Sequence, residues 1–216
     1  MNRSLWIAAL ACAVAATSAP ARADVVSTLY QFRGNEASAS FQWWNDCGMG
    51  NATIVGGDDV SHDAHGAPIE SAVAYAWFDS MNWCTSSYVA GWGVVDSASI
   101  RRLEGATLSV PLALSGQTCA PSPADPMSWS CDAIAPGTQA TFTATLSAVG
   151  PTSTGTTMTH TASGAYRTTS RATGSSRAAS ATASLFYGGR DLLAGVQATN
   201  AQLAYNATSA HWFYRF

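Results

Sequence analysis

The densest set of groups that could do chemistry is the run Gly57-Asp58-Asp59-Val60-Ser61-His62-Asp63-Ala64-His65-Gly66. Carboxylates and imidazoles are donors that a divalent cation takes. Asp58, Asp59, His62, Asp63 and His65 are therefore the candidate metal ligands. Their spacing matches no metal motif: His62 and His65 do not sit four apart with a glutamate between them, and the acids do not alternate as in an EF-hand loop. The plainer expectation is an acidic surface loop between strands, and no cofactor is expected.

The second chemistry is aromatic. Trp43, Trp44, Trp77, Trp83, Trp92, Trp129 and Trp212 are many for a chain of 216 residues. Adjacent Trp43 and Trp44 on a strand must point to opposite faces, so one is expected outside, where it could stack on a sugar ring. Most of the others are expected in the core. Nucleophile signatures, phosphate loops and dinucleotide glycine patterns are absent. His160 lies among threonines and reads as structural. Gly188-Gly189-Arg190-Asp191-Leu192 faintly echoes a calcium-binding repeat but occurs once, so it reads as a turn. No catalytic residue is assigned and the chain is not expected to be an enzyme.

The elements that must carry these residues are strands. Ala140, Phe142, Ala144, Leu146 and Ala148 share one face and Thr141, Thr143, Thr145 and Ser147 the other. Leu108, Val110, Leu112 and Leu114 repeat the pattern, and Pro111, with no amide donor, predicts an edge position for that strand. Gly- and Pro-bearing breaks, among them Gly34-Asn35 and Gly150-Pro151, predict many short strands. The expected fold is all-β, a single antiparallel β-sandwich with two disulfides; a small closed β-barrel is the alternative.

A local duplication organises the N-terminal part. Sliding Cys47 onto Cys84 places Phe41 on Phe78 and Asn45 on Asn82. Two neighbouring hairpin-like copies, each with one cysteine, predict a Cys47–Cys84 bond. Cys119–Cys131 then closes the proline-rich loop between them.

Residues 1–23 read as a secretory signal peptide: Asn2-Arg3, an apolar run over Leu5–Ala16, and Ala21-Arg22-Ala23 at the cleavage point. Cys12 raises lipidation as a rival, but Ala9-Leu10-Ala11 fits that pattern poorly. Residues 24–216 are expected to form one domain, exported to the periplasm or secreted, with even, paired cysteines suited to an oxidising compartment. The leader looks bacterial, so Asn51-Ala52-Thr53 and Asn206-Ala207-Thr208 read as chance glycosylation sequons.

All 10 basic residues are arginine. Without Arg3 and Arg22, eight face 13 acids, a balance of −5. Residues 24–164 carry −9 and residues 165–216 carry +4. The two parts are expected to attract each other within one fold. Five arginines over some fifty residues make no dense basic tract, so no nucleic-acid partner is expected.

The final His211-Trp212-Phe213-Tyr214-Arg215-Phe216 resembles the closing strand of bacterial outer-membrane β-barrels, with Phe last and aromatics alternating before it. That resemblance implies a membrane partner only if the whole chain is such a barrel. The Ala- and Thr-rich strands and the expected disulfides depart from the family pattern. The sequence thus points to a disulfide-stabilised, non-catalytic, extracellular or periplasmic binding protein whose partner is a glycan or cell-envelope component. The alternatives are a small outer-membrane barrel and a carbohydrate-binding module using exposed Trp.

Overall fold

A computed structural model describes residues 25–63, 66–123, 125, 128–164 and 166–215. The leader, Cys12, His65 and Phe216 lie outside the described residues. The strands are β1 (Val25–Asn45), β2 (Gly48–Asp63), β3 (Ile69–Asn82), β4 (Ser87–Val95), β5 (Ser99–Arg101), β6 (Gly105–Pro121), β7 (Trp129–Ala133), β8 (Gln139–Ser163), β9 (Tyr166–Tyr187), β10 (Arg190–Asp191) and β11 (Ala198–Arg215). The all-β, antiparallel, doubly disulfide-bonded fold is as the sequence predicts.

Most strands are long rather than short. Gly34-Asn35 does not break β1, because a lone glycine can stay extended and Gly34 still pairs with Asp59 and Asn206. Gly150-Pro151 is a bulge inside β8: pairing to β9 skips from Ala148 to Thr152 and then resumes. The polar run expected as a loop from Gly57 is mostly the end of β2, paired to both neighbours.

The sheet closes on itself. β1 pairs with β2, β2 with β3, β3 with β4, β4 with β6, β6 with β8, β8 with β9, β9 with β11, and β11 with β1. Eight strands therefore make one hydrogen-bonded circuit, with β5, β7 and β10 as short flanking additions. β6 is not an edge strand as Pro111 suggested. Pro111 falls instead where β6 has lost β4, whose ladder ends at Trp92–Ala113, and has not yet met β5 at Thr107. The missing amide donor is needed least there.

Opposite sides of the circuit pack like two layers at one end. Ala37, Ala39 and Phe41 of β1, Ile54 of β2, and Ala74, Ala76 and Phe78 of β3 meet Leu108, Val110 and Leu112 of β6 and Phe142 and Leu146 of β8. Phe41 and Phe142 touch edge to face at 6.1 Å. Beyond this packed end, β1, β2, β8, β9 and β11 run on as an open wall. There β8 from Thr152 to Ser163 pairs with β9 alone among the described residues.

Cys47–Cys84 and Cys119–Cys131 are both bonded, in the expected pairing. The first joins the β1–β2 turn to the β3–β4 turn, the two ends of the duplicated unit. Phe41 and Phe78 are equivalent core residues, both buried. Asn45 and Asn82 do equivalent work: their side-chain oxygens accept from Cys47 N and Thr85 N, each at 3.0 Å.

Candidate functional site: the aromatic outer face

The phase of β3 decides what lies outside. Ala74, Ala76 and Phe78 face the core, so Tyr75, Trp77, Asp79 and Met81 must face solvent. On β4 the outward set is Tyr88, Ala90, Trp92 and Val94. The two sets meet residue for residue: Tyr75 opposite Val94, Trp77 opposite Trp92, Met81 opposite Tyr88. Trp92 is 67% exposed, and Tyr75 and Trp77 stack at 5.9 Å with planes 9° apart.

Rows across the outer wall follow from the register. One row is Thr53–Trp77–Trp92 with Val55–Tyr75–Val94 beside it. The next is polar: Gln42–Asn51–Asp79–Ala90. The third is again apolar: Trp44–Met49–Met81–Tyr88. Trp44 is 73% exposed and lies 5.3 Å from the Trp83 ring. Trp83 Nε1 donates to Asp46 O at 2.9 Å, which fixes that ring beside the disulfide. The aromatic rows lie about 13 Å apart, four residues along the strand, with hydrogen-bonding groups between them.

Beside Tyr75 a groove of about 370 Å³ crosses β1, β2 and β3. Phe32 and Tyr75 stand at its walls, with Glu36, Asp59 and Asn206 among its polar lining. Gly34 makes the groove possible, because a β-carbon there would meet the Asp59 carboxylate. Burial pushes the Asp59 carboxyl above its ordinary 3.8, and the Asp58 charge adds to the rise.

Of the two residues singled out for stacking, Trp44 is outside and Trp43 is not. Trp43 is half-buried against the core, and its ring lies over Gly50, its partner across the ladder. The suggested metal ligands are divided by strand alternation. Asp58 and His62 share the inner face of β2, and Asp59 takes the outer face. The Asp63 backbone pairs with Tyr30. Asp58 accepts from Asn35 Nδ2 at 2.6 Å and from Asn35 N at 3.2 Å. Among the described residues no group of three or more His, Cys, Asp or Glu is placed to hold a metal.

Sequence reasoning expected most of the tryptophans in the core, whereas Trp77, Trp83, Trp92 and Trp129 are exposed, and it missed Tyr75. The usable signal was Ala74-Tyr75-Ala76-Trp77-Phe78. Once the duplication makes Phe78 a core residue like Phe41, alternation sends Tyr75 and Trp77 outward.

No family model matches the chain, and no curated protein matches it. Among solved structures it is distantly similar to an acetoacetate decarboxylase-like enzyme from Sphingomonas wittichii RW1, at 8% identity over 87% of this chain and 92% of that one, TM-score 0.25. It is also distantly similar to the outer membrane protease OmpT from Escherichia coli, at 10% identity over 89% of this chain and 97% of that one, TM-score 0.21. Likeness at that level assigns neither fold nor activity.

Proposed function

We propose that the protein is an exported, non-catalytic binding protein that holds a glycan on the outer face of β2–β4. The observation that carries this reading is the alternation of aromatic and polar rows. A sugar chain presents flat apolar ring faces and hydroxyls together. Trp77, Trp92, Tyr75 and Trp44 offer surfaces for the first; Gln42, Asn51 and Asp79 offer partners for the second. Exposed aromatics grouped this closely are a mark of a binding surface. Two disulfides fit an oxidising compartment outside the cytoplasm.

Tryptophan fluorescence tests it. Soluble cello-, xylo-, chito- and malto-oligosaccharides are titrated into wild type, Trp77→Ala and Trp92→Ala. At least one series should change the emission saturably, and each variant should lose about tenfold in affinity, the fold-change of about 1.4 kcal/mol. No response to any series would sink the glycan reading.

A second reading rests on the closed circuit of eight antiparallel neighbours, which suits a small outer-membrane barrel. Its outer faces on β6, β8 and β9 carry Thr107, Ser109, Thr143, Thr145 and Ser184, which do not make an apolar band. Fractionation of the chain expressed with its own leader separates the two readings. Soluble periplasmic or medium protein supports the binding protein. Outer-membrane protein with heat-dependent gel migration supports the barrel.

A further inference from the structure

The inner face of the open wall continues the inner face of the packed end, but its chemistry changes. On β1 the inward series runs from Phe41, Ala39 and Ala37 to Asn35, Arg33 and Gln31. On β9 it runs from Leu185, Ala183 and Ala181 to Arg177, Thr173 and Arg171, and on β11 from Leu203 to Tyr205, Ala207 and Ser209. Two adjoining hollows sit on this wall, of about 380 Å³ and about 600 Å³. They share Arg33, Val60 and Tyr205.

Three arginines distant in sequence reach these hollows. Arg33 and Arg171 line the first, and Arg33 and Arg102 line the second. The register explains how the first two converge. Arg33 pairs with Ala207 and Ala207 with Thr173, while Gln31 pairs with Ser209 and Ser209 with Arg171. Arg33 and Arg171 are thus diagonal neighbours across β11, about 12 Å apart at Cα, with small Ala207 and Ser209 as the floor between them. His62, Thr173 and Ser209 add further hydrogen-bonding groups.

The third arginine is placed by a turn. Leu103 has φ 53°, a left-handed conformation unusual for leucine, in the connection between β5 and β6. Glu104 N closes that turn onto Arg101 O at 2.8 Å. Arg102 then lies 3.7 Å from the centre of the Tyr205 ring, which it covers. Arg177, deeper on β9, is occupied: it donates to Gly150 O at 2.8 Å and to Leu103 O at 3.5 Å. The side chains of Arg33 and Arg171 make no hydrogen bond or ion pair with another described residue.

The acids lining the second hollow are Asp58, Asp59 and Glu70, all on the β2–β3 side. Asp58 is engaged by Asn35. The cavity is therefore basic towards β1, β9 and the β5–β6 connection and acidic towards β2 and β3. This sidedness selects ligand size. A polyanion spanning both hollows would meet both signs, whereas a small molecule with one anionic group in the first hollow meets two arginines and no acid among its described lining.

We propose that the open end is a second binding site, separate from the aromatic face, for a small molecule bearing one carboxylate or phosphoryl group, held between Arg33 and Arg171. Arg102 and Tyr205 wall the site on its inner side.

Isothermal titration calorimetry tests it, using inorganic phosphate and benzoate as separate probes, with ionic strength held constant by sodium chloride. At least one probe should bind saturably to the exported chain. Arg171→Gln and Arg33→Gln should each weaken it at least tenfold. Arg190→Gln, at the far end of the molecule, should bind as wild type. Trp77→Ala should also bind as wild type, which keeps this site apart from the glycan reading. A response to phosphate alone identifies a phosphoryl ligand, and one to benzoate alone a carboxylate; both uphold the site. If neither probe binds, or if Arg171→Gln titrates like wild type, the proposal fails. Arg171 is exposed and outside the packed core, so that variant decides the question even if Arg33→Gln does not fold.

Discussion

The two ends of the inner face share the same strands and the same alternation, yet they are built from different letters. At the packed end the inward positions are Ala, Leu, Val, Ile and Phe, and opposite walls touch through Phe41 and Phe142. At the open end most inward positions are polar (Arg, Asn, Gln, Asp, His, Ser, Thr and Tyr, with Val60 and Ala207 among them), and hollows remain between the strands. Cohesion is therefore concentrated at one end, which leaves the other free to hold side chains in solvated, unpacked arrangements. A strand that runs through both ends is anchored in the first and functional in the second.

That contrast can be broken most directly in the core. Phe142→Ala should cost about 3–5 kcal/mol in chemical unfolding, since it removes a wholly buried ring at the contact between walls. A loss under about 1 kcal/mol would mean that the walls are not held by this contact. Next comes the bond at the turn end. Cys47→Ser with Cys84→Ser, which frees a 37-residue separation, should lower stability by about 4 kcal/mol on chain-entropy grounds. The corresponding change at Cys119 and Cys131, with a separation of 12, should cost about 3 kcal/mol. If the order is reversed, the duplicated hairpins hold each other without the bond.

Smaller effects sharpen the picture at the open end. Arg171→Gln should change stability by no more than about 0.5 kcal/mol in the same unfolding assay, because its side chain is exposed. The smallest expected effect is a pH dependence at Asp59. Its folded-state carboxyl is raised above 3.8, so the folded chain binds the proton more tightly than the unfolded chain does. Its ionisation therefore removes stability as pH rises from 3.8 through the folded value. Asp59→Asn should be the more stable form at pH 7, with the difference closing below pH 3.8. A difference that persists unchanged at low pH would show that the charge is not its cause.

Much of the fold was legible because it is written in local rules. Period-two alternation located β6 and the first half of β8, and the duplication made Phe41 and Phe78 equivalent and gave the partner of Cys47. What was not legible depends on distant pairing. Nothing near Gly34 or Gly150 says that the strand continues, since its neighbours across the ladder decide that. Closure through β1 and β11 had one local sign, the aromatic terminal strand, but that strand does not say which strand it pairs with. The site was half legible. That one of Trp43 and Trp44 lies outside followed from their adjacency, but which one, and the outward turn of Tyr75, Trp77 and Trp92, needed the phase of paired strands. The convergence of Arg33, Arg102 and Arg171 needed the whole circuit.

Closure also sets an order of events. The ladder that seals the circuit joins Val25 to Arg215, the two extremes of the described chain. As the chain emerges N-terminus first, β1 has β2 for one flank at once, but its other flank waits until the last strand has appeared. The hairpins tied by Cys47 and Cys84 are already present by then and can oxidise early. Contacts this far apart in sequence are slow to form. Through that interval β1 remains an unsealed strand edge, exposed to pairing with other chains until β11 arrives.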